Sequence, residues 1–225
     1  MQLPQENQPN IAGQNQAMRN YYQFQSKIYD LTRWSFLFGR KTVIRKLPVD
    51  TLAPVHIVEI GCGTGYNLAR MARRFPAAWF TAYDVSADMI RLARKNTAAY
   101  QDRIKLIEAP FSAEEAELCA PADIVLFSYS LTMINPQWST LISLAVALLK
   151  PGGHLAVVDF HASAHPWFKK HMGKNHVRMD AHLLPVLASQ LLPVVKSVKK
   201  AYGGIWEYLI FIGKKSGTSV LSDDE

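Results

Sequence analysis

The residues best suited to chemistry are Glu59-Ile60-Gly61-Cys62-Gly63-Thr64-Gly65, with Asp84 following 19 positions beyond Gly65. Three alternating glycines leave the backbone open to close approach, because no Cβ stands between a ligand and the peptide N–H groups. The acidic Glu59 ahead of the loop would repel a phosphate and attract a cation. A carboxylate at Asp84 can accept both hydroxyl hydrogens of a ribose. Together they describe a site for a ligand with an ammonium at one end and a nucleoside at the other.

Dinucleotide-binding loops space their glycines as G-x-G-x-x-G to hold a pyrophosphate, which is not the spacing here. S-adenosylmethionine fits the difference, since it has no pyrophosphate and carries an ammonium, a carboxylate and an adenosine. The cofactor-binding set expected on these grounds is Glu59, Gly61, Cys62, Gly63, Gly65, Asp84 and Val85, with Ala109 and Phe111 in the loop that would close over the adenine, and Ser128 at the end of a later strand. Methyl transfer from a sulfonium is an in-line displacement that needs an aligned, deprotonated nucleophile. Tyr129, Asp159 and His161 are the polar groups expected at the strand ends where open α/β sheets hold their ligands, and they are the candidate catalytic residues. No metal-ligand set is expected.

These residues need elements to carry them. Short β-branched or aromatic runs at 55–60, 78–83, 104–107, 122–127 and 154–160 predict five strands, alternating with helical spacing at 66–75, 86–100 and 141–149. Ser86 is placed to cap its helix, and Lys150-Pro151-Gly152-Gly153 to stop the last one. Strands alternating with helices predict an α/β, Rossmann-like, doubly wound and mostly parallel sheet. Ahead of this core (55–160), residues 18–50 read as a helical lid broken at Gly39, behind a polar leader at 1–17. After it come a basic elaboration at 161–200, a closing strand or hairpin over 205–213, and a flexible polar tail at 216–225. The methyltransferase domain would thus occupy 18–215.

The net charge of +7 is unevenly distributed: residues 1–50 carry +4 and residues 161–200 carry +6, whereas 51–160 carry −1. Positive charge therefore flanks a nearly neutral core, which suits an anionic membrane surface. Ordinary solvated lysines would give the same count. No apolar run approaches the ~20 residues of a membrane-spanning helix, and the Gln- and Asn-rich start has no signal-peptide pattern. Cys62 and Cys119 offer no disulfide framework. A cytoplasmic protein, peripheral on the inner face of the membrane, is expected. Nucleic acid is not an expected partner, because no base-binding motif of the Asn-Pro-Pro-Tyr type occurs.

The sequence from Glu59 to Gly65, with Asp84 and Leu149-Lys150-Pro151-Gly152-Gly153, resembles the class I S-adenosylmethionine-dependent methyltransferases over residues 55–160. A narrower resemblance lies in the segment Tyr29 to Arg40, Val158-Asp159-Phe160-His161 and Ala201-Tyr202-Gly203-Gly204-Ile205-Trp206. These look like the bacterial methyltransferases of betaine-lipid synthesis, which trimethylate the homoserine amine of a diacylglyceryl lipid. That resemblance implies Tyr29 beside the cofactor and Tyr21, Arg33, Arg40, Tyr202 and Trp206 about the acceptor. With Tyr208, the aromatic residues of the closing strand could form a cage for a methylated ammonium; sheet packing is the alternative.

Three functions stay open at this point. The first is N-methylation of a lipid head group, in which Arg33 or Arg40 would face the homoserine carboxylate. The second is methylation of a quinone ring or another small molecule, and the third is cofactor binding by a membrane-associated regulator without turnover. Oligomeric state is not legible.

Overall fold

The computed structural model describes residues 37–174 and 176–217. The leader, the lid up to residue 36 with Tyr21, Tyr29 and Arg33, and the tail from residue 218 lie outside the described residues.

Strands β1 (His56–Ile60), β2 (Trp79–Asp84), β3 (Ile104–Glu108), β4 (Ala122–Ser128), β5 (Leu149–Phe160), β6 (Leu192–Ala201) and β7 (Trp206–Lys214) form one sheet in the order β3-β2-β1-β4-β5-β7-β6. The pairs from β3 through β5 are parallel, whereas β7 runs antiparallel to both β5 and β6. Chain order reverses between β1 and β4, which opens a crevice at their carboxyl ends, the usual ligand site of such sheets. All five residues of β1 are buried, because helices cover both faces of a central parallel strand.

On one face pack α1 (Arg40–Arg45), α2 (Tyr66–Arg74) and α3 (Ala87–Asn96), contributing Val43, Leu68, Met71 and Ile90 to the core. The other face holds α4 (Ala113–Leu118), α5 (Trp138–Leu148) and α7 (Leu183–Gln190), with Ile142, Ala145, Leu183 and Leu187 against Val125 and Phe211. Between α5 and α7 in sequence lies α6 (Pro166–Lys174), tied to the core through Phe168. No helix among the described residues is long and apolar enough to cross a membrane.

Local signals in the chain work as expected in several places. Ser86 Oγ accepts the Met89 N–H at 3.4 Å and starts α3. Gly39 begins α1 with φ of +82°, and a Cβ there would lie 2.8 Å from Tyr208. Elsewhere the structure corrects the sequence expectations. The helix predicted to reach residue 100 ends at Asn96, and a 3-10 turn takes over at Ala98–Arg103. Strand β5 begins at Leu149, not at His154: Leu149 pairs with Ala122, residues 150–153 bulge out, and pairing resumes at His154 with Ile124.

The larger correction concerns 161–200, read as an elaboration preceding the closing strands. Its last nine residues belong to β6, which pairs with β7 along nearly its whole length. Being the edge strand, β6 leaves most of its side chains exposed, so it lacks the apolar alternation that reveals a half-buried strand. Pro193, a bulge after it, and Lys196, Lys199 and Lys200 protect the open edge from pairing with another chain.

Candidate cofactor and acceptor site

The turn after β1 is fastened to β2 by the backbone: the N–H groups of Gly61 and Cys62 both donate to the Tyr83 carbonyl, at 2.9 and 3.0 Å. Asp84 holds it further, one oxygen accepting the Gly63 N–H at 2.7 Å and the other the Ser86 N–H at 3.0 Å. Asp84 therefore shapes the loop, a role its spacing alone did not reveal. Val85 and Ala109, at the ends of β2 and β3, are half-buried beside it.

The three glycines serve different purposes. A Cβ on Gly61 (φ +76°) would meet the Ser130 Cβ at 2.8 Å, and one on Gly65 (φ +75°) would meet Ala93 of α3 at 3.0 Å. Those two permit packing within the protein. Gly63 (φ +53°) has nothing among the described residues within 4 Å of the position its Cβ would take, so it faces open space within that set. That is where a ligand lying against the backbone would be displaced by a side chain.

Beneath the loop Glu59 is fully buried, and its Oε1 accepts from Asn67 Nδ2 at 2.7 Å. Glu59 Oε2 and Asn67 Oδ1 are both buried without a partner. Burial raises the Glu59 pKa to about 8, opposed by the Asn67 hydrogen bond and the nearby Arg40 charge, and reinforced by Asp84. Such orphaned acceptors suit a ligand bearing an ammonium, and with the open space at Gly63 they fit S-adenosylmethionine. Asn67 was absent from the sequence-based set. Its signal was available: a polar residue one turn before Met71 on the buried stripe of α2. Cys62 is buried, and desolvation drives its thiol pKa far upward, so it serves the loop through its backbone.

At the ends of β4 and β5, two of the candidate catalytic residues hold structure together. Tyr129 adopts φ of +56° where β4 turns into its loop, and its hydroxyl donates to the Phe38 carbonyl at 2.8 Å. Burial and the negative Asp159 keep its pKa well above the ordinary value, so Tyr129 is no base at neutral pH. Asp159 accepts from the Thr132 hydroxyl at 2.5 Å and from the N–H groups of Thr132 and Phe160. Burial lifts its pKa to about 6 against those bonds. Both arrangements have one reason: buried polar groups take the nearest partners, here loop backbone and a hydroxyl.

His161 differs. It follows β5, its Nδ1 is buried with no partner, and burial lowers its pKa despite the opposing charge of Glu207. Ser128, at the end of β4, likewise has a buried hydroxyl without a partner.

The aromatic group is occupied from within. Phe38 lies 5.3 Å from Tyr202, 5.8 Å from Trp206 and 6.0 Å from Tyr208, so the rings converge on Phe38. Trp206 is wholly buried and also packs on Phe160, whereas Tyr202 is 48% exposed. Trp206 is thus a core residue, the packing outcome for a closing strand, and Tyr202 alone of that pair presents surface. Phe111 packs its ring edge-on to Tyr83 in the core. Arg40 sits over the Tyr66 ring at 4.0 Å, close enough to Glu59 to act on its charge.

Comparison with known proteins agrees with this geometry. Residues 57–153 match a family model described as a methyltransferase domain. The chain is similar to a malonyl-[acyl-carrier protein] O-methyltransferase of Priestia megaterium, 35% identical over 47% of this chain and 37% of that protein. It is also similar to a trans-aconitate 2-methyltransferase of Azoarcus, 30% identical over 52% of this chain and 43% of that protein. The chain thus spans less than half the length of these relatives. Its fold is that of 1,6-didemethyltoxoflavin-N1-methyltransferase of Burkholderia thailandensis, with a TM-score of 0.68 over 94% of this chain and 93% of that one at 18% identity. The N-methyltransferase NodS of Bradyrhizobium japonicum has a TM-score of 0.62 over 83% and 99% of the two chains at 22% identity. With the fastened glycine loop, the buried acid beneath it and the reversed last strand pair, the chain has a Rossmann-like fold whose residues 57–153 match a methyltransferase-domain model.

Proposed function

We propose that the protein transfers methyl groups from S-adenosylmethionine to the amine of a membrane-lipid head group such as diacylglyceryl homoserine. The methyl-transfer half rests on the loop: Gly63, whose N–H donates to Asp84, opens onto free space among the described residues, and Glu59 and Asn67 each keep a buried acceptor without a partner. The observation that carries the lipid half is α6. Trp167, Lys170 and Lys174, spaced to lie on one face, are all exposed, and Trp167 is 61% exposed. An exposed indole among lysines suits the boundary between water and an anionic bilayer. The resemblance of residues 29–40, 158–161 and 201–206 to betaine-lipid methyltransferases supports the same acceptor.

When bound, S-adenosylmethionine supplies an electrophilic methyl group. The chain's own work is to hold and to deprotonate. Asp84 orients the nucleoside end, Glu59 and Asn67 take the amino-acid end, and the Tyr129 and Asp159 bonds fix the two strand ends that border the acceptor. An aliphatic amine with a reference pKa near ~10 arrives mostly protonated. His161, neutral because burial lowers its pKa, takes a proton at Nδ1 so that the nitrogen lone pair can attack. The nitrogen–carbon bond forms as the carbon–sulfur bond breaks, and the bonding pair goes to sulfur.

The test is mass spectrometry of lipids from cells expressing the protein together with an enzyme that makes the homoserine lipid. Steps of one, two and three methyl groups on that lipid support the proposal; cofactor consumption without lipid methylation refutes it. A second reading has its own support: the trans-aconitate methyltransferase relative acts on an acidic small molecule, which the basic surface would also attract. Methylation of a soluble carboxylic acid in the same extracts would establish that reading.

A further inference from the structure

Glu59 and Asn67 are already joined by one hydrogen bond, yet each keeps a buried oxygen with no partner. Two orphaned acceptors in neighbouring groups make an ionised pair unfavourable, since nothing solvates either oxygen. One hydrogen remedies both. A protonated carboxyl and a primary amide each present a donor beside an acceptor, so the acid hydroxyl can donate to the amide oxygen while the amide N–H donates to the acid carbonyl. A ligand cation offers the other remedy, because an ammonium donates to both oxygens and leaves the carboxylate ionised.

With S-adenosylmethionine as ligand of the glycine loop, on which this rests, we propose that Glu59 and Asn67 form a neutral acid–amide pair in the cofactor-free protein and release one proton when the cofactor's ammonium docks. The O–H bond of Glu59 breaks, the proton passes to solvent, and the ammonium keeps its three hydrogens; no other bond changes. Asn67 is a positioning residue that holds the carboxyl in place through both states.

The surrounding charges allow the exchange. Arg40 on α1 favours the ionised acid, Asp84 at the end of β2 opposes it, and Cys62 stays a neutral thiol. Burial outweighs them and holds the acid near pKa 8 in the empty protein. Below that value every bound cofactor must displace a proton, so affinity should rise about tenfold per pH unit. A ligand with the adenosine and no ammonium should not follow this rule.

Calorimetry on the full chain reads the exchange directly. S-adenosylhomocysteine and 5′-methylthioadenosine, which lacks the amino-acid end, are titrated at about pH 6.5 in two buffers of different ionisation heat. Release of close to one proton is expected with S-adenosylhomocysteine and close to none with 5′-methylthioadenosine. Glu59→Gln should abolish the release, and Asn67→Leu should weaken S-adenosylhomocysteine at least tenfold while moving 5′-methylthioadenosine less than twofold. Binding of S-adenosylhomocysteine without proton release, or equal release by both ligands, overturns the proposal, and the wild-type comparison stands even if a variant fails to fold. Failure of both ligands to bind refutes the cofactor assignment instead.

Discussion

Replacing Glu59 by Gln tests the buried acid without any ligand. The folded-state pKa of about 8 lies above the ordinary 4.5, so the folded protein binds the proton more tightly than the unfolded chain does. The stability this confers is complete below about pH 4.5 and is lost as pH rises towards 8. Each pH unit inside that window removes about 1.4 kcal/mol, and the whole shift corresponds to at most about 5 kcal/mol. Gln has the same shape, can keep both bonds to Asn67, and does not titrate. The stability of Glu59→Gln relative to wild type should therefore increase by about 2 to 3 kcal/mol between about pH 5.5 and pH 7.5. Asp159, also raised by burial, is present in both proteins and cancels. Urea unfolding at the two pH values, with unchanged m-values, measures the difference. Parallel pH dependence in the two proteins would refute the picture of a buried carboxyl that holds its proton at neutral pH.

Four other outcomes follow from the same structure. Gly63→Ala should cost about 1 kcal/mol of stability from the left-handed backbone alone, because its side chain meets nothing among the described residues, and the folded variant should lose at least tenfold in cofactor affinity by calorimetry. Gly61→Ala should lose about 2 kcal/mol or more of stability in urea, from the left-handed backbone and the Ser130 contact. Arg103→Met should cost about 2 to 4 kcal/mol in urea with cofactor affinity unchanged, since its guanidinium donates to the carbonyls of Ala72, Phe75 and Ala78 at the end of α2. Reversing Lys169, Lys170 and Lys174 to Glu should abolish salt-sensitive sedimentation with anionic vesicles, at about 1 kcal/mol for each cation lost. Unchanged sedimentation would remove the support that α6 lends to a lipid acceptor.

What the sequence by itself determined is local chemistry. The glycine loop, the Asp84 position, the Ser86 cap and the buried β-branched strands depend on residues a few places apart, so their spacing is written along the chain. The alternation of strand and helix then implied the parallel half of the sheet. Tertiary structure alone decided how the polar groups at the sheet's edge are used. Tyr129 meets the Phe38 carbonyl across 91 positions, and Asp159 meets Thr132 across 27. Trp206 disappears beneath Phe38 and Phe160, and β6 exists because β7 offers it a ladder of backbone partners. A sequence shows which side chains can donate, accept or carry charge. Whether a given group faces a ligand or another part of the protein depends on which distant partner reaches it first, and a buried group takes that partner because leaving water without one costs too much.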